Sequence, residues 1–139
     1  MIQRRVAPRG VPSPARLRAW ARAALGGQVG ELTLRVVGAP ESRALNLRYR
    51  GKDQPTNVLS FPYGEPGVLG DVVLCAPVVN REAREQGKAA AAHWAHMVVH
   101  GVLHLRGFDH IRKTEARVME TTERAILARL SYPDPYLLS

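Results

Sequence analysis

The run HGVLHLRGFDH, residues 100 to 110, constrains this chain more than any other stretch. His100 and His104 are four residues apart, so on an α-helix both imidazoles project from one face and reach the same point in space. Gly107 then supplies a residue able to take φ > 0, which ends the helix and turns the chain back. His110 returns as a third imidazole. Such a frame needs a long helix with a protected end and a tight glycine turn. Three neutral nitrogen ligands leave a tetrahedral ion one open position for water, as catalytic zinc sites do and closed structural sites do not. Zinc is the expected ion, with nickel or another divalent transition metal admitted by the same imidazoles.

The spacing H-x-x-x-H-x-x-G-x-x-H matches the ligand frame of the metzincin peptidases, with one departure. Where those enzymes carry the glutamate that acts as general base, this chain has Gly101. Loss of a general base costs about 10² to 10⁴ in rate, so a peptidase is disfavoured. The ion alone still lowers the pKa of bound water from about 15.7 toward about 7, so hydrolysis of another substrate survives the change. His96 shares the face of His100 and His104 but stands two turns, about 12 Å, from His104. A ligand set of His93, His96 and His100 would leave the glycine turn and His110 unexplained.

At 139 residues the chain fits one domain, taken as residues 1–139, able to bury a core without disulfides. Its single cysteine, Cys75, lies in the apolar run VVLCA and suits a reducing cytoplasm. Neither a signal peptide nor an apolar membrane span is expected, and a cytoplasmic location follows. Net charge is +8, and Arg4, Arg5, Arg9, Arg16, Arg18 and Arg22 crowd the first thirty residues, which hold no acid. A polyanion is the natural partner for such a surface.

Local signals predict a strand at 2–7, a helix opened by Ser13 and Pro14 and stopped by Gly26–Gly27, and a strand at 31–37. A helix from Pro40 to Gly51, strands at 57–61 and 68–76, and helices from Pro77 to Gly87, over 89–105 and over 113–130 complete the series. The expected fold class is α+β: one compact domain, a roughly four-stranded sheet packed with about five helices, and the histidine helix at its centre. Sheet order is not readable. Trp20 and Trp94 fall on helical patterns with apolar neighbours and are expected in the core.

YRGKDQPTNVLSFP at 49–62, LGDVVLC at 69–75, HWAHMVVHG at 93–101 and HGVLHLRGFDH at 100–110 together resemble the bacterial YbeY family of endoribonucleases and rRNA maturation factors. The likeness runs from about residue 31 to 137. It implies an α+β fold, a zinc ion on His100, His104 and His110, and cleavage of single-stranded RNA in 16S rRNA 3′-end maturation and ribosome quality control. It also implies a functional arginine at Arg50 and, as partners, the small ribosomal subunit with its assembly factors.

Elementary chemistry is compatible with those roles. A guanidinium at Arg50 would clamp a phosphodiester as charge builds on its oxygens, although an arginine at a helix end also suits the helix dipole. Asp109, beside His110, is able to orient a histidine, to handle a proton or to cap the next helix. Asn57, Ser60 and Phe61 are candidates to line a cleft, with Phe61 available for base stacking. Asp71 is as able to bond backbone at a strand start as to touch substrate. Two other readings stay open: an rRNA-binding assembly factor with a structural metal, and a metal-dependent hydrolase of another phosphoester or an amide.

Overall fold

A glycine or a proline marks nearly every boundary of the fold. The computed structural model describes residues 1–109 and 111–137. In chain order these form β1 (Ile2–Arg4), α1 (Pro14–Leu25), β2 (Glu31–Val37), α2 (Ala39–Arg50), β3 (Val58–Pro62), β4 (Val68–Cys75), α3 (Ala76–Glu85), α4 (Ala90–Leu105) and α5 (Lys113–Arg129). Helix α1 starts where Ser13 Oγ accepts the Arg16 N–H at 3.3 Å and stops at Gly26, whose φ of 58° no β-carbon opposes. Its buried stripe is Leu17, Trp20, Ala21 and Ala24.

Four strands make one mixed sheet in the order β1-β2-β4-β3. Pairs β1/β2 and β2/β4 are parallel, and β3 runs antiparallel to β4 at one edge. The first strand is shorter than the expected 2–7. Arg5 N–H still reaches Val36 O at 2.8 Å, but a turn bonded from Val11 N–H to Pro8 O then carries the chain away toward α1. The boundary between β4 and α3 falls at Cys75/Ala76, one residue earlier than the sequence suggested.

Both sheet faces are covered, which explains the continuous apolar run VVLC in β4. Leu34, Val36, Val72 and Leu74 join the main core under α1 and α4, together with Val98, Val99, Val102 and Leu103. Val37, Leu59 and Val73 form a second cluster on the other face, where Leu45 of α2 packs. Helix α4 is the central element, with residues from Trp94 to Val99 all buried. Trp94 and Trp20 are core residues as expected, 1% and 4% exposed, and the Trp94 indole N–H donates to Asn80 Oδ1 at 2.8 Å. No helix among the described residues is long and apolar enough to cross a membrane.

Gly101 shows how closely α4 lies on the sheet. A β-carbon at this position would sit 2.5 Å from Val72 Cγ1 and 3.0 Å from Val58 Cγ2. Ser60 Oγ reaches across and donates to Gly101 O at 2.8 Å. The position that carries a glutamate in the peptidase frame is thus a packing contact, facing β3 and β4.

Candidate active site and metal centre

The C-terminal end of α4 opens into a cleft of about 570 Å³ between β3 and the turn that follows the helix. Arg50, Asn57, Ser60, His100, His104, Phe108 and Asp109 contribute to its walls. The helix ends as its sequence predicts: Gly107 takes φ 98°, its N–H donates to His104 O, and Phe108 N–H donates to Leu103 O, both at 3.0 Å. Arg106 fixes the turn from outside, donating through Nη1 to Ala24 O at 2.7 Å with its guanidinium 5.3 Å from the Phe108 ring centre.

Within the cleft, His100 Nε2 and His104 Nε2 lie 3.2 Å apart. Two nitrogens bound tetrahedrally to one zinc at about 2.0–2.1 Å must be about 3.3–3.4 Å from each other, so this pair fits a shared ion. His110, the third expected ligand, lies outside the described residues.

Behind His100 stands a residue that spacing did not reveal. Glu123 of α5 is fully buried and accepts from His100 Nδ1 at 3.2 Å, from His96 Nε2, and from the Tyr136 hydroxyl at 3.0 and 3.1 Å. Burial opposes ionisation of this carboxyl, but the hydrogen bonds and charges of His100 and His96 prevail and hold its pKa down at about 2. An ionised Glu123 takes a ring N–H from His100 Nδ1, which leaves Nε2 with its lone pair aimed into the cleft. His96, His100 and Glu123 also place ligand-type atoms within 4.8 Å of one another, so this His/Glu cluster is able to hold a metal ion.

Tyr136 arrives from the segment that follows α5, which Pro133 and Pro135 keep from continuing the helix. It folds back along α5, where Arg124 binds Asp134, Asp134 Oδ1 accepts the Tyr136 N–H at 2.8 Å, and Lys88 Nζ donates to Pro135 O at 2.9 Å. Burial and the adjacent Glu123 charge push the phenol pKa up, so the hydroxyl stays protonated and donates. Tyr136→Phe is expected to lower stability by about 1 kcal/mol, read as a shift of the urea midpoint with an unchanged slope. A midpoint equal to that of the wild type would show that Glu123 does not need this donor.

Of the competing histidines, His96 shares Glu123 with His100, and His93 is engaged elsewhere. His93 Nε2 is 2.9 Å from Glu82 Oε1, and burial lowers the pKa of its ring more than Glu82 raises it. Glu82 also receives Asn57 Nδ2 at 3.1 and 3.2 Å. Arg50 is exposed at the last position of α2, where Gly51 at φ 70° ends the helix, and it lines the cleft. Asn57 and Ser60 also line the cleft, but Phe61 does not. It packs on the opposite sheet face with the second cluster, 5.0 Å from the Tyr49 ring, because neighbours in a strand point to opposite sides. Phe108 is the aromatic the cleft presents instead. Asp71 accepts from the Tyr63 hydroxyl at 2.6 Å, and Asp109 Oδ1 accepts the Ile111 N–H at 3.1 Å.

Comparison with known proteins matches the family described as "Endoribonuclease YbeY" to residues 15–131. The chain belongs to the endoribonuclease YbeY family. Relatives bearing the name Endoribonuclease YbeY include that of Methylococcus capsulatus, 56% identical over 131 residues, covering 91% of this chain and 87% of the relative. That of Alkalilimnicola ehrlichii is 57% identical over 140 residues, covering 93% and 84%. Among solved structures, TM1509 from Thermotoga maritima is similar over 99% of this chain and 100% of its own, with 25% identity and a TM-score of 0.59. YbeY membership extends the resemblance seen in the sequence back into α1, which carried no recognisable motif.

Proposed function

We propose that this protein is a zinc-dependent, single-strand-specific endoribonuclease acting in 16S rRNA 3′-end maturation and ribosome quality control, with ribosomal small-subunit RNA and its assembly factors as partners. The observation that carries the reading is the pair of Nε2 atoms 3.2 Å apart in a cleft that also holds Arg50. His100, His104 and His110 would hold the ion. Zinc so bound supplies Lewis acidity toward a phosphoryl oxygen and toward water.

The chain's own groups do the rest. Glu123 fixes the His100 tautomer through Nδ1, so Nε2 is presented as an acceptor. Arg50 offers a permanently charged, bidentate donor to the phosphate while charge grows on its oxygens. Phe108 offers a ring face for an unstacked base. Gly101, closed against Val72 and Val58, keeps a carboxylate out of that position.

A test uses highly purified protein, its metal content, and cleavage of single-stranded RNA, duplex RNA and a peptide. His104→Ala is expected to lose both metal and cleavage. Arg50→Ala should keep the metal and lose about 10² to 10³ in kcat. Cleavage persisting in both variants, or after full metal removal, would reveal a contaminating nuclease and leave an RNA-binding assembly factor as the better reading. The exposed Arg18 and Arg22 of α1 favour that second reading, and a flat salt dependence of RNA binding would remove it.

A further inference from the structure

Strand β3 is at the edge of the sheet and is also one wall of the cleft. The register says which of its main-chain groups point away from β4. Asn57 O accepts from Cys75 N–H at 2.9 Å, Tyr63 N–H donates to Leu69 O at 3.2 Å, and Val58 to Pro62 pair without a slip against Leu74 to Gly70. Odd-numbered residues thus bond inward to β4. In an antiparallel pair the alternate residues turn their N–H and C=O outward, so Val58, Ser60 and Pro62 present theirs to the open side.

The donors along that open side are depleted. Asn57 Oδ1 accepts the Val58 N–H at 2.7 Å, and Pro62 has no N–H to give. Ser60 N–H is the donor left on the outer edge of β3 among the described residues. The carbonyls of Val58 and Ser60 remain beside it. A peptide adding as a fifth strand requires donors and acceptors in alternation, and this edge lacks two of its three donors. A ribonucleotide backbone offers acceptor oxygens on phosphate and a hydroxyl donor on each ribose, so one amide flanked by carbonyls can serve it.

We propose that the outer edge of β3 is a ribose-phosphate subsite, in which Ser60 N–H donates to a phosphate oxygen and the Val58 and Ser60 carbonyls accept ribose 2′-hydroxyls. Arg50 lies in the same cleft and adds the charge that a lone amide lacks. The subsite rests on the RNA reading given above and accounts for one property of it: carbonyls that accept a 2′-hydroxyl favour RNA over DNA.

The test compares Ser60→Pro with Ser60→Ala in the full, metal-loaded chain. Both lose the Oγ bond to Gly101, and only the proline loses the outward N–H. Proline is tolerated where an edge N–H faces solvent, as Pro62 on the same edge shows. Ser60→Pro is expected to show kcat/KM on single-stranded RNA about tenfold below that of Ser60→Ala, with equal metal content. Equal kcat/KM in the two variants would overturn the subsite.

A second measurement needs no variant. Amide NMR spectra of the wild type are followed while adenosine 3′- or 5′-monophosphate, or the 2′-deoxy counterparts, are added. The Ser60 amide should shift on addition of a ribonucleotide, with the deoxy forms binding more weakly. A Ser60 amide that stays put at saturation, or that moves for an extended peptide and not for nucleotides, would sink the proposal. A wild type that neither cleaves nor binds RNA would fail the underlying reading instead, and the two failures are distinct.

Discussion

Replacing Glu123 by glutamine is expected to destabilise the metal-free protein by about 3 kcal/mol at pH 7 and to weaken metal binding about 10- to 100-fold. The size follows from the depression of its carboxyl pKa from 4.5 to about 2, since each unit is worth about 1.4 kcal/mol. Glutamine keeps the volume and one acceptor oxygen but turns an amide N–H₂ toward either His96 or His100, where an acceptor is needed. The sign of the pH dependence is fixed by the same shift. A carboxyl whose folded pKa lies below its unfolded value gives stability that is complete above about pH 4.5 and lost as pH falls toward 2. Urea titrations of metal-free wild type and Glu123→Gln should therefore show a wide gap at pH 7 that narrows below pH 4.5. A gap that is the same at pH 7 and pH 3 would mean that the carboxylate is not held by its charge.

Restoring the peptidase glutamate at position 101 should prevent folding rather than create a peptidase. Even Gly101→Ala brings a methyl to 2.5 Å from Val72 Cγ1, an overpacking that costs about 1–3 kcal/mol. Gly101→Glu adds to this a carboxylate buried between α4 and β3 without a partner, at a cost of several kcal/mol more. Thermal unfolding and the yield of soluble protein would follow the series Gly, Ala, Glu. A well-folded Gly101→Glu variant that hydrolyses peptides would show that the closeness of the helix to the sheet is not what separates this site from the peptidase frame.

The parts of the molecule legible in the sequence are those written locally. Ser13 with Pro14 opened α1, and Gly26, Gly51 and Gly107 ended their helices in left-handed backbone. The four-residue spacing of His100 and His104 put two imidazoles in one cleft, and Arg50 was reached through motif resemblance. Strand order escaped because pairing between β2 and β4 joins segments separated by α2 and β3, and no local signal records it. Glu123 and Tyr136 lie 23 and 36 residues beyond His100, so no spacing rule links them to it. Glu123 nonetheless left a trace, as the one acid on a helical stripe with Met119, Ile126 and Leu127. Phe61 was misplaced by grouping it with Asn57 and Ser60, when a period of two already sends Ser60 and Phe61 to opposite faces.

The strap that carries Tyr136 has a temporal consequence. A ribosome makes the chain in order, and when α4 and its histidines are made the carboxylate behind them has yet to be added. Glu123 follows with α5, and its hydroxyl donor Tyr136 comes after Asp134 and Pro135, which bond Arg124 and Lys88. The groups that steady His100 are thus all made later than the histidine they hold.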